Sequence, residues 1–192
     1  MRTLKYSILG LLSQNPMTGY DIAKEFSDHA LSNFWYATHG QIYPELNKLV
    51  SEGLVTYEVV IQGKALEKKL YTVTPEGERQ FREWLILDEP VEQTPKDVFR
   101  LRTFFSEFAS REDFVRLLRS QVSKHQYKYD RLRDNMKEAY NGVRPEAGTS
   151  GFGDYMVLDG AIIRERTYII WLLRCLKAYG EDIPDEMLSF EE

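Results

Sequence analysis

The strongest constraint on the fold is a repeated spacing of mainly apolar residues in the second half of the chain. Positions there advance by alternating steps of four and three, at Leu118, Val122, His125, Tyr129, Leu132, Met136 and Ala139. A second series has the same steps, at Leu158, Ile162, Glu165, Ile169, Leu172, Leu176 and Tyr179. Such seams are typical of paired helices. Because residues 142–153 between them contain several glycines and Pro145, the sequence predicts an antiparallel helical hairpin.

The first half of the chain predicts three short helices. The first spans about residues 4–13, and Thr18 with Asp21 three positions later predicts a capped start for the second. The third spans about residues 40–52, with apolar residues at helical spacing. Gly53 ends it, because glycine readily adopts the positive φ needed after a helix.

After Gly53 the hydrophobic period changes. Residues 54–61 and 69–73 are rich in β-branched and aromatic residues, which predicts two strands joined by a polar loop at 62–68. Thr74 followed by proline predicts the start of a fourth helix, which ends near Leu87. Three helices followed by a hairpin form the winged helix-turn-helix layout.

Residues 88–94 resemble a linker in composition and divide the chain. We expect a winged helix-turn-helix DNA-binding domain at 1–87 and a helical domain at 95–192, in a mainly α protein. In the second domain, helices are predicted to begin at the Thr94 cap and at the Ser110 cap.

The charge balance limits the kinds of partner. With 25 basic and 30 acidic residues the formal net charge is −5, which argues against non-specific coating of nucleic acid or of anionic membranes. Residues 1–87 carry 9 basic and 10 acidic side chains, whereas residues 88–192 carry 16 and 20. Most of the acidity therefore lies outside the predicted DNA-binding domain, and we expect few phosphate contacts.

Several functional classes find no support in the sequence. A single cysteine excludes an internal disulfide and a multi-cysteine zinc cluster, and the histidines lack metal-ligand spacing. Catalytic motifs such as Gly-x-Ser-x-Gly are absent. The apolar segment 7–12 is too short to cross a membrane. We expect a cytoplasmic protein that is not an enzyme and that needs no metal or cofactor.

Polar residues of the third helix and of the hairpin are the candidate DNA contacts. Gln41 and Asn47 carry amides of the kind that pair with adenine, and further contacts are expected from Thr38, His39, Tyr43 and Lys48. The hairpin, or wing, adds Lys64, Lys68 and Lys69. Two plainer interpretations stay open: Tyr43 and Pro44 shape only the helix start, and the lysines form a solvated hairpin tip.

Four segments resemble, in order and spacing, the PadR family of bacterial transcriptional regulators. They are MTGYDI at 17–22, HGQIYPEL at 39–46, EGLV at 52–55 and LYTVTPEG at 70–77. The helical remainder resembles the C-terminal dimerisation domain of the subgroup related to the virulence activator AphA.

The resemblance implies a homodimeric regulator that binds a two-fold symmetric DNA operator, most simply as a repressor. Carried over by position, the DNA-facing residues are Tyr20, Gln41, Tyr43, Pro44, Asn47 and Lys48, with Lys64, Lys68 and Lys69 on the wing. Two alternatives remain: an AphA-like activator that works with a partner regulator, and a helical dimer that binds proteins or small molecules but not DNA.

Aromatic residues cluster near the junction of the two predicted domains, at Trp84, Phe99, Phe104, Phe105 and Phe108. They either pack the core or line a cavity for a small planar aromatic effector. Two seam positions are polar, and His125 and Glu165 either pair with each other or lie exposed at the seam edge. Cys175 is expected to be a buried thiol, with a redox sensor as the alternative.

Overall fold

The computed structural model describes residues 2–27, 30–33, 35–62, 66–90 and 96–189. The chain divides into two compact units, Met1–Glu92 and Gln93–Glu192. The first contains the helices and strands α1 (Thr3–Gln14), β1 (Met17–Thr18), α2 (Gly19–Ser27), α3 (His39–Ser51), β2 (Val55–Gln62), β3 (Leu66–Val73) and α4 (Pro75–Leu85). The second contains α5 (Val98–Phe104), α6 (Arg111–Tyr140) and α7 (Phe152–Ala178). Short 3-10 turns lie at Ala30–Asn33, Ser106–Phe108 and Asp185–Leu188.

The predicted fold class is confirmed: a winged helix-turn-helix unit precedes a unit built on a long helical hairpin. In the first unit α1 is central and contacts α3, α4 and β3. Its apolar side chains are buried with those of α2 and α3, namely Ile8, Leu9, Leu12, Ile22, Ala23, Phe26, Ile42, Leu46 and Leu49. This burial directs the polar face of α3 to solvent.

The strands form an antiparallel sheet in the order β1-β3-β2. Strand β1 was not predicted, because two residues carry no hydrophobic period, and it exists through pairing of Met17 with Tyr71 and of Thr18 with Leu70. The predicted loop at 62–68 is wrong at both ends. Gln62 pairs with Leu66, so only residues 63–65, which lie outside the described residues, separate the two strands.

The predicted caps and the helix stop are largely confirmed. Thr18 Oγ1 accepts the Asp21 backbone N–H at 3.2 Å, and Thr74 Oγ1 accepts that of Gly77 at 3.1 Å. Gly53 adopts a φ of +70°, and the following N–H of Leu54 donates to the Leu49 carbonyl at 3.0 Å. These bonds satisfy backbone groups that a helix end leaves free.

The second unit begins differently from the prediction. The cap expected at Thr94 lies outside the described residues, and helix α5 begins only at Val98. Asp97 caps it, because its Oδ1 accepts the backbone N–H groups of Phe99 at 2.9 Å and Arg100 at 3.0 Å. The predicted Ser110 cap of α6 is confirmed.

Helices α6 and α7 form the predicted antiparallel hairpin. Arg111 at the start of α6 donates from Nε to the Tyr179 carbonyl at 2.9 Å, just beyond the end of α7. At the other end Tyr140 donates to Asp154, and this contact together with burial raises the pKa of the phenol to about 12. Cys175 is half-buried against the core of this unit, and burial raises the pKa of its thiol.

The two polar seam positions pair across this hairpin. Glu165 is only 3% exposed, and its Oε2 lies 2.6 Å from His125 Nδ1 while its Oε1 lies 2.7 Å from Lys128 Nζ. Burial raises the pKa of this carboxyl, but the hydrogen bonds and charges of Lys128 and His125 hold it below its usual range. The carboxylate therefore stays ionised inside the hairpin.

Replacing this carboxylate should change the dependence of stability on pH. The pKa of Glu165 is lower in the folded than in the unfolded protein. The ionised carboxylate therefore stabilises the fold above pH 4.5, and this stabilisation is lost as the pH falls through the folded-state pKa. Glu165→Gln should lower the free energy of unfolding by about 1–3 kcal/mol at neutral pH, and by progressively less as the pH falls below 4.5. Urea unfolding at a series of pH values measures both.

The matched control is Glu138→Gln, an exposed position on the same helix as His125. It should leave the unfolding free energy nearly unchanged across the series. A loss from Glu165→Gln that is constant with pH would contradict the assignment of a buried, ionised carboxylate.

Candidate nucleic-acid interface

Helix α3 presents one apolar and one polar face. Ile42, Leu46 and Leu49 are fully buried, and this stripe fixes which residues point outward. The exposed positions are the predicted ones, namely Thr38, His39, Gln41, Tyr43, Pro44, Asn47 and Lys48. The structure thus gathers the predicted residues of this helix on one surface.

The acidic residue of α3 is neutralised by an ion pair. Arg2 donates from Nε to Glu45 at 3.2 Å and also pairs with Glu52 at 2.6 Å. The hydrogen bond from Arg2 lowers the pKa of the Glu52 carboxyl. Since Glu45 is held by Arg2, Lys48 contributes the charge on the exposed face of α3.

Gln41 has a structural role that the sequence did not reveal. Its Oε1 accepts the backbone N–H of Thr38 at 2.9 Å, which completes a capping box at the start of α3. The side-chain amide nitrogen has no recorded contact within the described residues. Gln41 therefore stabilises the helix start with its oxygen and has only a donor left for a ligand.

A groove runs between the helix-turn-helix and the wing. It has a volume of about 650 Å³ and is lined by α2, α3 and β3, through Thr18, Gly19, Tyr20, Tyr43, Asn47, Glu67, Lys68, Lys69 and Tyr71. Tyr20 and Asn47 are exposed along it. The structure thus brings predicted residues of all three elements to one concave surface.

The two described wing lysines both lie in strand β3. For Lys69 this confirms the prediction, whereas Lys68 was expected in the loop; Lys64 lies outside the described residues. The Lys69 ammonium lies 4.1 Å from the centroid of the Tyr57 ring, a cation–π contact that holds the lysine over the sheet. Tyr57 was not predicted. It pairs with Tyr71, two residues from Lys69 along β3, and this proximity becomes visible only with the strand register.

Two exposed aromatic residues directly before α3 were also missed. Trp35 and Tyr36 precede the Thr38 cap, and Tyr36 is 73% exposed. Their position immediately before a predicted recognition helix was the available signal.

The predicted effector residues are divided between the two units. Trp84 lies in the first unit and stacks on Tyr6, with ring centroids 4.8 Å apart. Phe99 is buried in the second unit against Phe114 and Trp171. The remaining three are exposed in the second unit, at 79% for Phe104, 50% for Phe105 and 82% for Phe108.

Neither a metal-binding cluster nor a membrane-spanning helix occurs in the described part of the chain. No group of three His, Cys, Asp or Glu side chains in that part is arranged to hold a metal ion. Nor does any described helix have the length and apolar character needed to cross a membrane.

Two family models match the chain in succession. Residues 8–83 match the transcriptional regulator PadR-like family, and residues 95–179 match the virulence activator alpha C-terminal family. The negative transcriptional regulator PadR of Bacillus subtilis is 41% identical over 183 residues, covering 95% of this chain and 100% of the relative. The chain belongs to the PadR family of transcriptional regulators.

Solved structures of PadR proteins agree with this assignment. Bacillus subtilis PadR in complex with operator DNA superposes with a TM-score of 0.88 at 39% identity, over 93% of this chain and 99% of the other. The same protein in complex with p-coumaric acid superposes with a TM-score of 0.82 at 36% identity, over 94% of this chain and 100% of the other. The Vibrio cholerae virulence activator AphA superposes with a TM-score of 0.70 at 26% identity, over 92% of this chain and 98% of the other.

Substitutions at Gln41 should separate its capping role from other roles in this PadR protein. Gln41→Ala removes the acceptor for the Thr38 N–H and should lower the free energy of unfolding by about 0.5–1 kcal/mol. Gln41→Glu keeps an acceptor and adds negative charge at the helix N-terminus, so it should be at least as stable as the wild type. Urea unfolding followed by circular dichroism tests both, and equal losses from the two variants would refute the cap.

Proposed function

We propose that this protein is a homodimeric, sequence-specific DNA-binding regulator that represses transcription from a two-fold symmetric operator. The observation that carries the proposal is the exposed polar face of α3 beside the lysine-bearing groove, in a chain 41% identical to a negative transcriptional regulator. That relative is also seen bound to operator DNA.

Helix α3 has the dimensions and chemistry of a recognition helix. Its 13 residues give a length of roughly 20 Å, and an α-helix fits the major groove of B-DNA. Asn47 offers a complete amide for a bidentate contact with adenine, while Gln41 offers its donor. On the proposed DNA-facing surface these amides are surrounded by the other predicted residues, namely Tyr20, Thr38, His39, Tyr43, Pro44 and Lys48.

The wing supplies the phosphate contacts of this proposal. Lys68 and Lys69 on β3 provide positive charge next to a helix face that carries little. The predicted contact of Lys64 falls outside the described residues. Each lysine that neutralises a phosphate releases a counterion, so a few such contacts give a modest dependence of affinity on salt. This agrees with the near-neutral charge of residues 1–87.

The long helical hairpin is the proposed dimerisation domain, residues 95–192. Helix α7 exposes Met156 and Ile163 on the side opposite its buried seam. Two-fold pairing through this domain would present two α3 helices to half-sites about 34 Å apart, one turn of DNA.

Repression in this scheme requires only occupancy of the promoter. A dimer seated on the operator excludes RNA polymerase, so the protein performs no reaction and acts as a regulator and not as an enzyme. Binding to chromosomal DNA places it in the cytoplasm. An activator of the AphA kind is the less favoured alternative, because identity to that protein is 26% against 41% for the repressor.

A planar aromatic effector is the second part of the proposal. Bacillus subtilis PadR is seen in complex with p-coumaric acid, and the exposed Phe104, Phe105 and Phe108 give this chain aromatic surface for such a molecule. Binding that alters the packing of the helical domain would change the spacing of the two α3 helices and weaken their simultaneous fit to the operator.

Operator binding is the deciding measurement. Fluorescence anisotropy with DNA upstream of the protein's own gene should show a complex that resists competition by random DNA. Asn47→Ala should cost about 1–3 kcal/mol on this DNA and little on random DNA. Lys69→Ala should weaken binding to both and reduce the salt slope by about one.

The matched control is Lys124→Ala, which removes the same charge from an exposed position in the second unit. It should change neither the affinity for DNA nor the salt slope. Absence of a competitor-resistant complex would refute the DNA-binding function and would favour a helical dimer with other ligands. Increased promoter output after deletion of the gene is expected for a repressor, and decreased output would indicate an activator.

Effector binding is measured by tryptophan fluorescence. Titration with p-coumaric acid should give a saturable change and should release operator DNA, whereas the non-planar cyclohexanecarboxylic acid should do neither. Phe108→Ala should weaken the effect by about tenfold if its ring covers the ligand. Unchanged fluorescence across a panel of phenolic and planar cationic compounds would remove the sensing proposal.

A further inference from the structure

The ring of Tyr43 lies directly on the backbone of Gly19. A Cβ atom built on Gly19 would stand 2.7 Å from Tyr43 Cε1, 3.2 Å from its Cζ and 3.3 Å from its hydroxyl oxygen. Real Cβ atoms do not approach other heavy atoms to under 3.0 Å. Any side chain at position 19 must therefore displace this ring.

The contact joins the two helices of the helix-turn-helix at its exposed edge. Gly19 is the first residue of α2 and is buried, whereas Tyr43 lies one turn into α3 and remains 41% exposed. Both line the groove, with Asn47 one turn further along α3. The ring of Tyr43 is thus a wall of the groove whose position is set by α2.

The contact is separate from the interactions that hold the fold together. Helix α2 is anchored by Ile22, Ala23 and Phe26, which are at most 1% exposed, and its start is capped by Thr18. None of these contacts involves the ring of Tyr43. The atoms that a methyl group at position 19 would meet belong to a side chain with a solvent-exposed edge, so the ring can move while the core stays intact.

We propose that Gly19 is a positioning residue for DNA recognition, which acts by seating the ring of Tyr43 between α2 and the groove. With the ring in place, the groove keeps its width and Tyr43 faces the DNA. With a methyl group at position 19, the ring is pushed into the space that the DNA backbone or base edge occupies. This inference rests on the proposed DNA-binding function and assigns to Gly19 a role that it exerts through Tyr43.

The test is a double-mutant cycle in operator binding with the full-length protein. Gly19→Ala should lower operator affinity by about tenfold or more while the melting temperature stays near that of the wild type. Tyr43→Ala should also weaken binding. In the Tyr43→Ala background, the further change Gly19→Ala should alter affinity less than about twofold, because the ring it would displace is gone.

The matched control is Gly160→Ala in helix α7, where a Cβ meets nothing within 4 Å. It makes the same Gly→Ala change in a helix of the second unit and should leave operator affinity unchanged.

Two results would overturn the inference and leave the proposed DNA-binding function intact. One is wild-type operator affinity in Gly19→Ala, and the other is the same loss of operator affinity from Gly19→Ala with and without the ring of Tyr43. If Gly19→Ala on its own folds poorly, the comparison of Tyr43→Ala with the double variant still tests the inference, because both lack the ring that the methyl group would meet, and a difference of more than about twofold between them would overturn it. A wild-type protein that fails to bind the operator overturns the proposed function, and the inference with it.

Discussion

Burial of the apolar stripe of α3 is the interaction on which the candidate interface depends. Ile42, Leu46 and Leu49 are fully buried among the side chains of the first unit. Because a helix has one orientation that buries such a stripe, the opposite face is fixed in solvent. The polar residues between these positions are then brought to one surface without any contact among themselves. Core packing in this protein therefore determines which residues a ligand meets.

Much of the fold could be predicted because local signals are strong in this chain. The helix caps at Thr18 and Ser110, the stop at Gly53 and the two seams of the long hairpin each depend on residues close in sequence. Strand β1 could not be predicted, since it exists only through pairing of Met17 with a residue more than fifty positions away. The Asp97 cap was missed because a nearby threonine and proline gave a competing signal.

The residues of the candidate interface could be predicted from the sequence, but the contacts that each of them makes could not. The exposed face of α3 follows from helical spacing, and its residues are those expected. The sequence does not reveal that Gln41 uses its oxygen for a capping bond, because a capping glutamine and a base-reading glutamine look alike. It also hides the approach of Tyr43 to Gly19, which depends on the angle between two helices. Which of these residues contact DNA stays a prediction.

The two-residue strand β1 has a mechanical consequence. It connects the start of α2 to β3 by antiparallel pairing, and β3 is in turn paired along its length with β2. The hairpin is therefore not a free arm hinged only at its base. A force applied to the lysines of β3 is transmitted through the sheet to the first turn of α2. In the proposed DNA complex, contact of these lysines with phosphates is thus coupled to the alignment of the helix pair through the sheet.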